Sequence, residues 1–89
     1  MIRHTVRIKN RAGLHTRPAA GLVKMVTPFN CEFTIERDGF RINARSIIGV
    51  MTLAAEQGAE LFLEFDGPDE AAAAEAIVAY IERGFDEEV

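Results

Sequence analysis

Cysteine is nearly absent from this sequence. Cys31 is the single thiol in 89 residues, which excludes an internal disulfide and reads as a small residue of an apolar core. Metal-ligand spacings of histidine, cysteine and carboxylates are missing too, so neither a metal nor another cofactor is expected. No apolar run approaches the roughly 20 residues that span a bilayer, and the N-terminus lacks a signal-peptide core. These absences predict a cytoplasmic protein without membrane insertion. Linkers and repeats are missing as well, and the alanines at 71–74 read as strong helix formers rather than low complexity. The length leaves room for one small domain, 1–89, with a modest core.

Basic charge is scarce in one half only. Residues 46–89 carry one Lys or Arg against eleven Asp or Glu, whereas residues 1–45 carry nine against three, within a net charge of −4. An acidic chain with scattered basic residues does not read as a nucleic-acid binder. A basic N-terminal half would instead draw an acidic protein surface towards it.

What is present is a soluble, globular composition, 48% hydrophobic and 27% charged. Ile2, His4, Val6 and Ile8 alternate with Arg3, Thr5 and Arg7, the pattern of a half-buried strand, with His4 a packing residue near its end. Ala19, Leu22, Val23 and Val26 form the stripe of an amphipathic helix that Pro28 closes. Cys31, Phe33 and Ile35, then Phe40 and Ile42, mark two strands joined by Asp38-Gly39, a strong hairpin signal. Ser46 stands where a short helix from Ile47 to Leu53 would start, as its N-cap. Leu61, Leu63 and Phe65 give a fourth strand. Asp66-Gly67-Pro68-Asp69-Glu70 then opens a helix with Ala74, Ile77, Val78 and Ile81 inward and Gly84 as its stop. Asp86 to Glu88 are expected to fray. The order βαββαβα predicts an α/β (α+β) sandwich with helices on one face of a four-stranded sheet; a ferredoxin-like arrangement remains open on pattern alone.

The most informative stretch is Gly13-Leu14-His15-Thr16-Arg17-Pro18-Ala19-Ala20. Proline fits the first turn of a helix, which makes Leu14 to Pro18 an entry segment. Unpaired N–H groups and the positive end of the helix dipole favour an anion there and oppose a charged imidazole, so His15 is expected to act as a neutral nucleophile. Arg17 adds planar donors suited to phosphate oxygens. Spacing alone does not separate this from a plain polar helix entry with Thr16 as N-cap. No Ser, Asp or Cys constellation with a supporting base points to a hydrolase.

This octapeptide resembles the active-site signature of the HPr family, the histidine phosphocarriers of the phosphoenolpyruvate-dependent phosphotransferase system. A second stretch, Ala44-Arg45-Ser46-Ile47-Ile48-Gly49-Val50-Met51-Thr52-Leu53, resembles that family's regulatory-serine segment. The resemblance implies an open-faced β-sandwich with an antiparallel sheet and three helices on one face. It implies that His15 takes a phosphoryl group on Nδ1 from enzyme I and passes it to an enzyme IIA protein or domain, with Arg17 holding the phosphoryl oxygens. Such a protein is a stoichiometric carrier rather than a turnover enzyme, and is expected to be a monomer. Thr16, Ala20, Lys24, Ile47, Ile48 and Met51 match family contact positions, and Ser46 matches the target of an ATP-dependent HPr kinase/phosphorylase. Gly49 stands where some relatives carry lysine, and Leu53-Ala54-Ala55 followed by Gly58 also looks like the nitrogen-related branch (NPr). Sugar uptake and a regulatory relay therefore both remain open. A binding-only module, as in paralogues lacking the histidine, is disfavoured by the pairing of His15 with Arg17.

Overall fold

The computed structural model describes residues 1–88. Its elements follow the expected order: β1 (Ile2–Arg7), α1 (Thr16–Val26), β2 (Glu32–Arg37), β3 (Phe40–Asn43), α2 (Ile47–Met51), β4 (Glu60–Asp66) and α3 (Glu70–Glu82). The four strands form one antiparallel sheet in the order β1-β4-β2-β3.

Alternation along each strand decides the two faces. The register sets Val6 opposite Leu61, Ile35 opposite Leu63 and Ile42, and Phe33 opposite Phe65, so the branched and aromatic side chains share the inner face. The Phe33 and Phe65 rings stack with centroids 4.6 Å apart, a contact of about 1 kcal/mol beyond its buried area. On the outer face Arg3, Arg7 and Arg41 meet Glu64 and Glu60 in ion pairs, and Phe62 is half exposed among them. The helices cover the inner face alone: α3 packs on β1 and β4, α2 on β3, and α1 touches both of the other helices. This is the open-faced sandwich, not the ferredoxin-like alternative.

Most local expectations hold, and the departures have physical causes. The Asp38-Gly39 turn has positive φ at both residues, 51° and 81°, as a tight hairpin requires. In α1, Pro18, Ala19, Leu22 and Val26 are buried, with Val23 only partly so. His4 lies on the helix face but is exposed, lining a shallow groove with Ile2, Ala74 and Val78. Phe40 shares the face of Ile42 yet stays exposed. Cys31 is buried, and burial pushes its thiol up against the pull of the Arg45 charge.

The second helix is shorter than the sequence predicts, ending at Met51 rather than Leu53. Thr52, Leu53 and Ala54 bond back three residues, to Gly49, Val50 and Met51, which winds the chain into a tight turn. Arg37 holds that turn by donating to the carbonyls of Leu53 and Ala54 at 3.1 and 3.0 Å.

The expectation that Asp86 to Glu88 fray is overturned. Gly84 ends α3 with φ of 72°, and Phe85 N–H donates to Tyr80 O at 3.0 Å in a Schellman-type stop. Phe85 is then buried, edge-on to the Tyr80 ring at 5.3 Å. That anchor turns the chain back across the loop before α1, where Arg11 N–H donates to Glu88 O at 2.9 Å.

Candidate functional site

The loop before α1 is fixed from both sides. Gly13 has φ of 76°, and a Cβ there would come within 2.6 Å of Ala55 O, so only glycine fits without strain. Leu14 N–H donates to the same carbonyl at 2.8 Å, and its side chain is buried. His15 follows in extended conformation as the N-cap of α1, and its carbonyl accepts from Ala19 N–H at 3.0 Å. Thr16 is therefore the first helical residue, not the cap. The N–H groups of Thr16 and Arg17 find no acceptor among the described residues, and Pro18 has none to offer. Two free donors and the positive helix end thus flank the imidazole.

Arg17 is exposed and makes no ion pair or hydrogen bond among the described residues. Its guanidinium is free to close on an anion at the helix start. Its charge also reaches Glu87 and the Tyr80 hydroxyl.

The His15 ring is held from one side only. Nε2 lies 3.0 and 3.2 Å from the two carboxylate oxygens of Glu87. Glu87 Oε1 also accepts from Asn10 Nδ2 at 2.9 Å, and the same amide nitrogen donates to Gly13 O at 2.8 Å. The hydrogen bond with His15 holds the Glu87 carboxyl below its usual range, helped by Asn10 and by the nearby charges, while desolvation opposes. In the neutral ring a carboxylate acceptor favours the proton on Nε2, which leaves the lone pair on Nδ1, a nitrogen without a partner among the described residues.

Ser46 caps α2 as its spacing predicts, accepting from Gly49 N–H at 3.3 Å. Ile47, Ile48 and Met51 are 40%, 78% and 42% exposed, an apolar face too large for a five-residue helix to bury. Ala20 and Lys24 lie on α1, the helix packed beside α2, with Ala20 half-buried and Lys24 exposed. Arg45 is committed elsewhere: its guanidinium donates to the carbonyls of Val26, Thr27, Phe29 and Cys31 at the end of α1.

The sequence reading missed Glu87 and Asn10. The signal for Glu87 was Phe85, an aromatic residue beyond the helix stop that needed a core position. Asn10 is fully buried, which no single-residue pattern announces.

An open-faced sandwich that presents an imidazole and a guanidinium at a helix start belongs to the class of small histidine phosphocarriers. The family described as "PTS HPr component phosphorylation site" matches residues 2–83, and the chain belongs to the HPr family. Phosphocarrier protein HPr of Treponema pallidum is 48% identical over 88 residues, covering 99% of this chain and 100% of that protein. Phosphocarrier protein NPr of Proteus mirabilis is 42% identical over 84 residues, covering 93% of each. The crystal structure of HPr-C-His from Thermoanaerobacter tengcongensis superposes with a TM-score of 0.94 at 42% identity, covering 100% of both chains.

Proposed function

We propose that this chain carries a phosphoryl group on His15 Nδ1, received from phospho-enzyme I and passed to an enzyme IIA protein or domain. The observation that carries the reading is a His15 ring engaged through Nε2 alone, at a helix start with two free N–H donors and an uncommitted Arg17. In the forward step the Nδ1 lone pair attacks phosphorus, while the bond to the donor nitrogen breaks and its electron pair stays with the donor. Arg17 and the helix-start donors stabilise the equatorial oxygens during in-line transfer. The chain is a stoichiometric carrier in this relay and does not turn over a small molecule.

Partners dock on the surface formed by Thr16, Ala20, Lys24, Ile47, Ile48 and Met51, as a monomeric carrier with one shallow apolar face would allow. A kinase acting on exposed Ser46 would place a charged group beside that face. Work in the cytoplasm, with no nucleic-acid partner, fits this role. The similarity to NPr supports a second reading of the output, a nitrogen-related regulatory relay instead of sugar uptake.

Intact-protein mass spectrometry after incubation with phosphoenolpyruvate and enzyme I tests the carrier role. One acid-labile phosphoryl group on the wild type and none on His15→Ala is the expected result. Running the sugar-branch and nitrogen-branch enzyme I in parallel assigns the output. Absence of label from both, with each enzyme active on its own carrier, overturns the reading.

A further inference from the structure

The carrier reading needs only His15, Arg17 and the helix start, yet the end of the chain is built onto the opposite side of the ring. Residues 84–88 turn back through positive φ at Gly84, Phe85 and Asp86, a conformation that non-glycine residues rarely adopt. The turn is held by buried Phe85, by Arg83 against Asp86 at 2.8 Å and by Arg11 against Glu88 at 2.9 Å. Its outcome is that the Glu87 side chain, 17% exposed, grips Nε2 of a ring that is 42% exposed.

Asn10 points to the purpose of this arrangement. Both acceptors at its amide nitrogen, Gly13 O and Glu87 Oε1, require Nδ2 in that place, so the amide orientation is settled by its partners. Its Oδ1 is buried with no partner among the described residues, a cost that packing alone would remove by substituting an apolar residue. A buried polar group with an orphaned acceptor is retained here for its donor, which fixes the carboxylate that fixes the imidazole.

We propose that Glu87, set by Asn10, is a positioning residue for phosphoryl transfer: it retains the Nε2 proton throughout and balances the positive charge that the ring gains when Nδ1 is phosphorylated. The inference rests on the carrier reading above. In the loading step Nδ1 forms the bond to phosphorus and Nε2 keeps its proton, so the ring becomes cationic with a carboxylate against it. In the onward step the Nδ1–phosphorus bond breaks, its electron pair returns to Nδ1, and the leaving group is a neutral imidazole. No proton has to move in either direction. The carboxylate acts on the ring much as the acid of a catalytic triad acts on its histidine.

The test compares wild type with Glu87→Gln, which keeps shape and loses charge, and with Glu87→Ala. Long-range 15N–1H correlation spectra of the His15 ring in unphosphorylated protein report the tautomer directly, without any partner. Wild type should show the Nε2–H form alone, and Glu87→Ala, which has no acceptor to offer, a mixture. Onward transfer from phosphorylated protein to enzyme IIA should slow by about tenfold in Glu87→Gln at saturating acceptor, with KM little changed, because the contact is to the ring and not to the partner. Thermal unfolding of Glu87→Gln at neutral pH identifies any general loss of structure. A wild-type tautomer in folded Glu87→Ala, or a wild-type transfer rate in folded Glu87→Gln, overturns the proposal. Should no protein accept phosphate from enzyme I, the carrier reading fails, and the spectra still decide whether Glu87 holds the ring proton.

Discussion

The Tyr80 hydroxyl on α3 occupies the space that a side chain on Gly21 of α1 would need: a Cβ at Gly21 would sit 2.1 Å from that oxygen. Gly21 lies one turn after Arg17, and Tyr80 packs edge-on against Phe85, so one contact joins the site helix to the element that carries Glu87. Gly21→Ala gains up to about 1 kcal/mol of helix propensity but forces the two helices apart or displaces the tyrosine. The cost of the clash prevails here, because the Tyr80 ring is held between Phe85 and Arg83 and cannot move aside freely. The expected net loss is about 1 kcal/mol, read as a lower urea midpoint at unchanged slope. In a Tyr80→Phe background the loss should shrink, since the oxygen is gone; an equal loss in both backgrounds would refute the assigned clash.

Arg45 caps the C-terminal end of α1 with four carbonyl contacts at 3.0 to 3.3 Å. Replacing it with methionine keeps the aliphatic stem and removes the guanidinium donors, while Val26 O keeps its bond from Phe29 N–H at 2.9 Å. Hydrogen bonds to a charged group contribute about 2 kcal/mol in such settings, and Arg45→Met should cost about that much. Arg45→Lys should recover less than half, because a single ammonium cannot span four acceptors. Chemical denaturation of the two variants checks both statements.

The fold was legible because hydrophobic alternation and helix stripes are properties of neighbouring residues, as in Phe33 and Ile35 or Leu22 and Val26. The hairpin at Asp38-Gly39 and the cap at Ser46 were legible for the same reason. His15 and Arg17 share one helix start, so their chemistry also stood in a single octapeptide. The other half of the site joins residues 72 positions apart, His15 and Glu87, through a buried asparagine. No local period encodes that relation. It depends on Phe85 finding the core, which reverses the expectation of a frayed end.

Glu56, Glu70, Asp86 and Glu87 are all held below the ordinary carboxylate range, by hydrogen bonds before any other cause. A depressed folded value means that the unfolded chain binds protons first as pH falls. Their stabilisation is therefore complete above the ordinary values of 3.8 for Asp and 4.5 for Glu, and is lost as acid takes pH down through the folded values. Tm should rise with pH across the acid range and then level off near pH 5 as far as these groups contribute. Glu87→Gln should flatten that rise by removing one of the four. A parallel pair of Tm curves between pH 3 and pH 5 would mean that the Glu87 contact contributes nothing to the folded state in solution.

Ser46 separates stability from docking. Ser46→Ala loses a long cap bond of 3.3 Å and should cost about 0.5 kcal/mol, the low end for an N-cap. Ser46→Asp retains a capping oxygen and puts negative charge at the positive end of α2, so its stability should equal the wild type within about 0.5 kcal/mol. The same charge lies beside Ile47, Ile48 and Met51, where an acidic partner surface would meet it. Loading by enzyme I should then show a KM raised about tenfold with little change in kcat, the size that 1.4 kcal/mol of lost uniform binding produces. Raising the ionic strength should narrow the gap between Ser46→Asp and wild type, because exposed charges are screened within about 8 Å at physiological salt. A KM equal to wild type would remove the face beside Ser46 from the docking surface, whereas a fall in kcat alone would place the effect at the His15 end of the neighbouring helix.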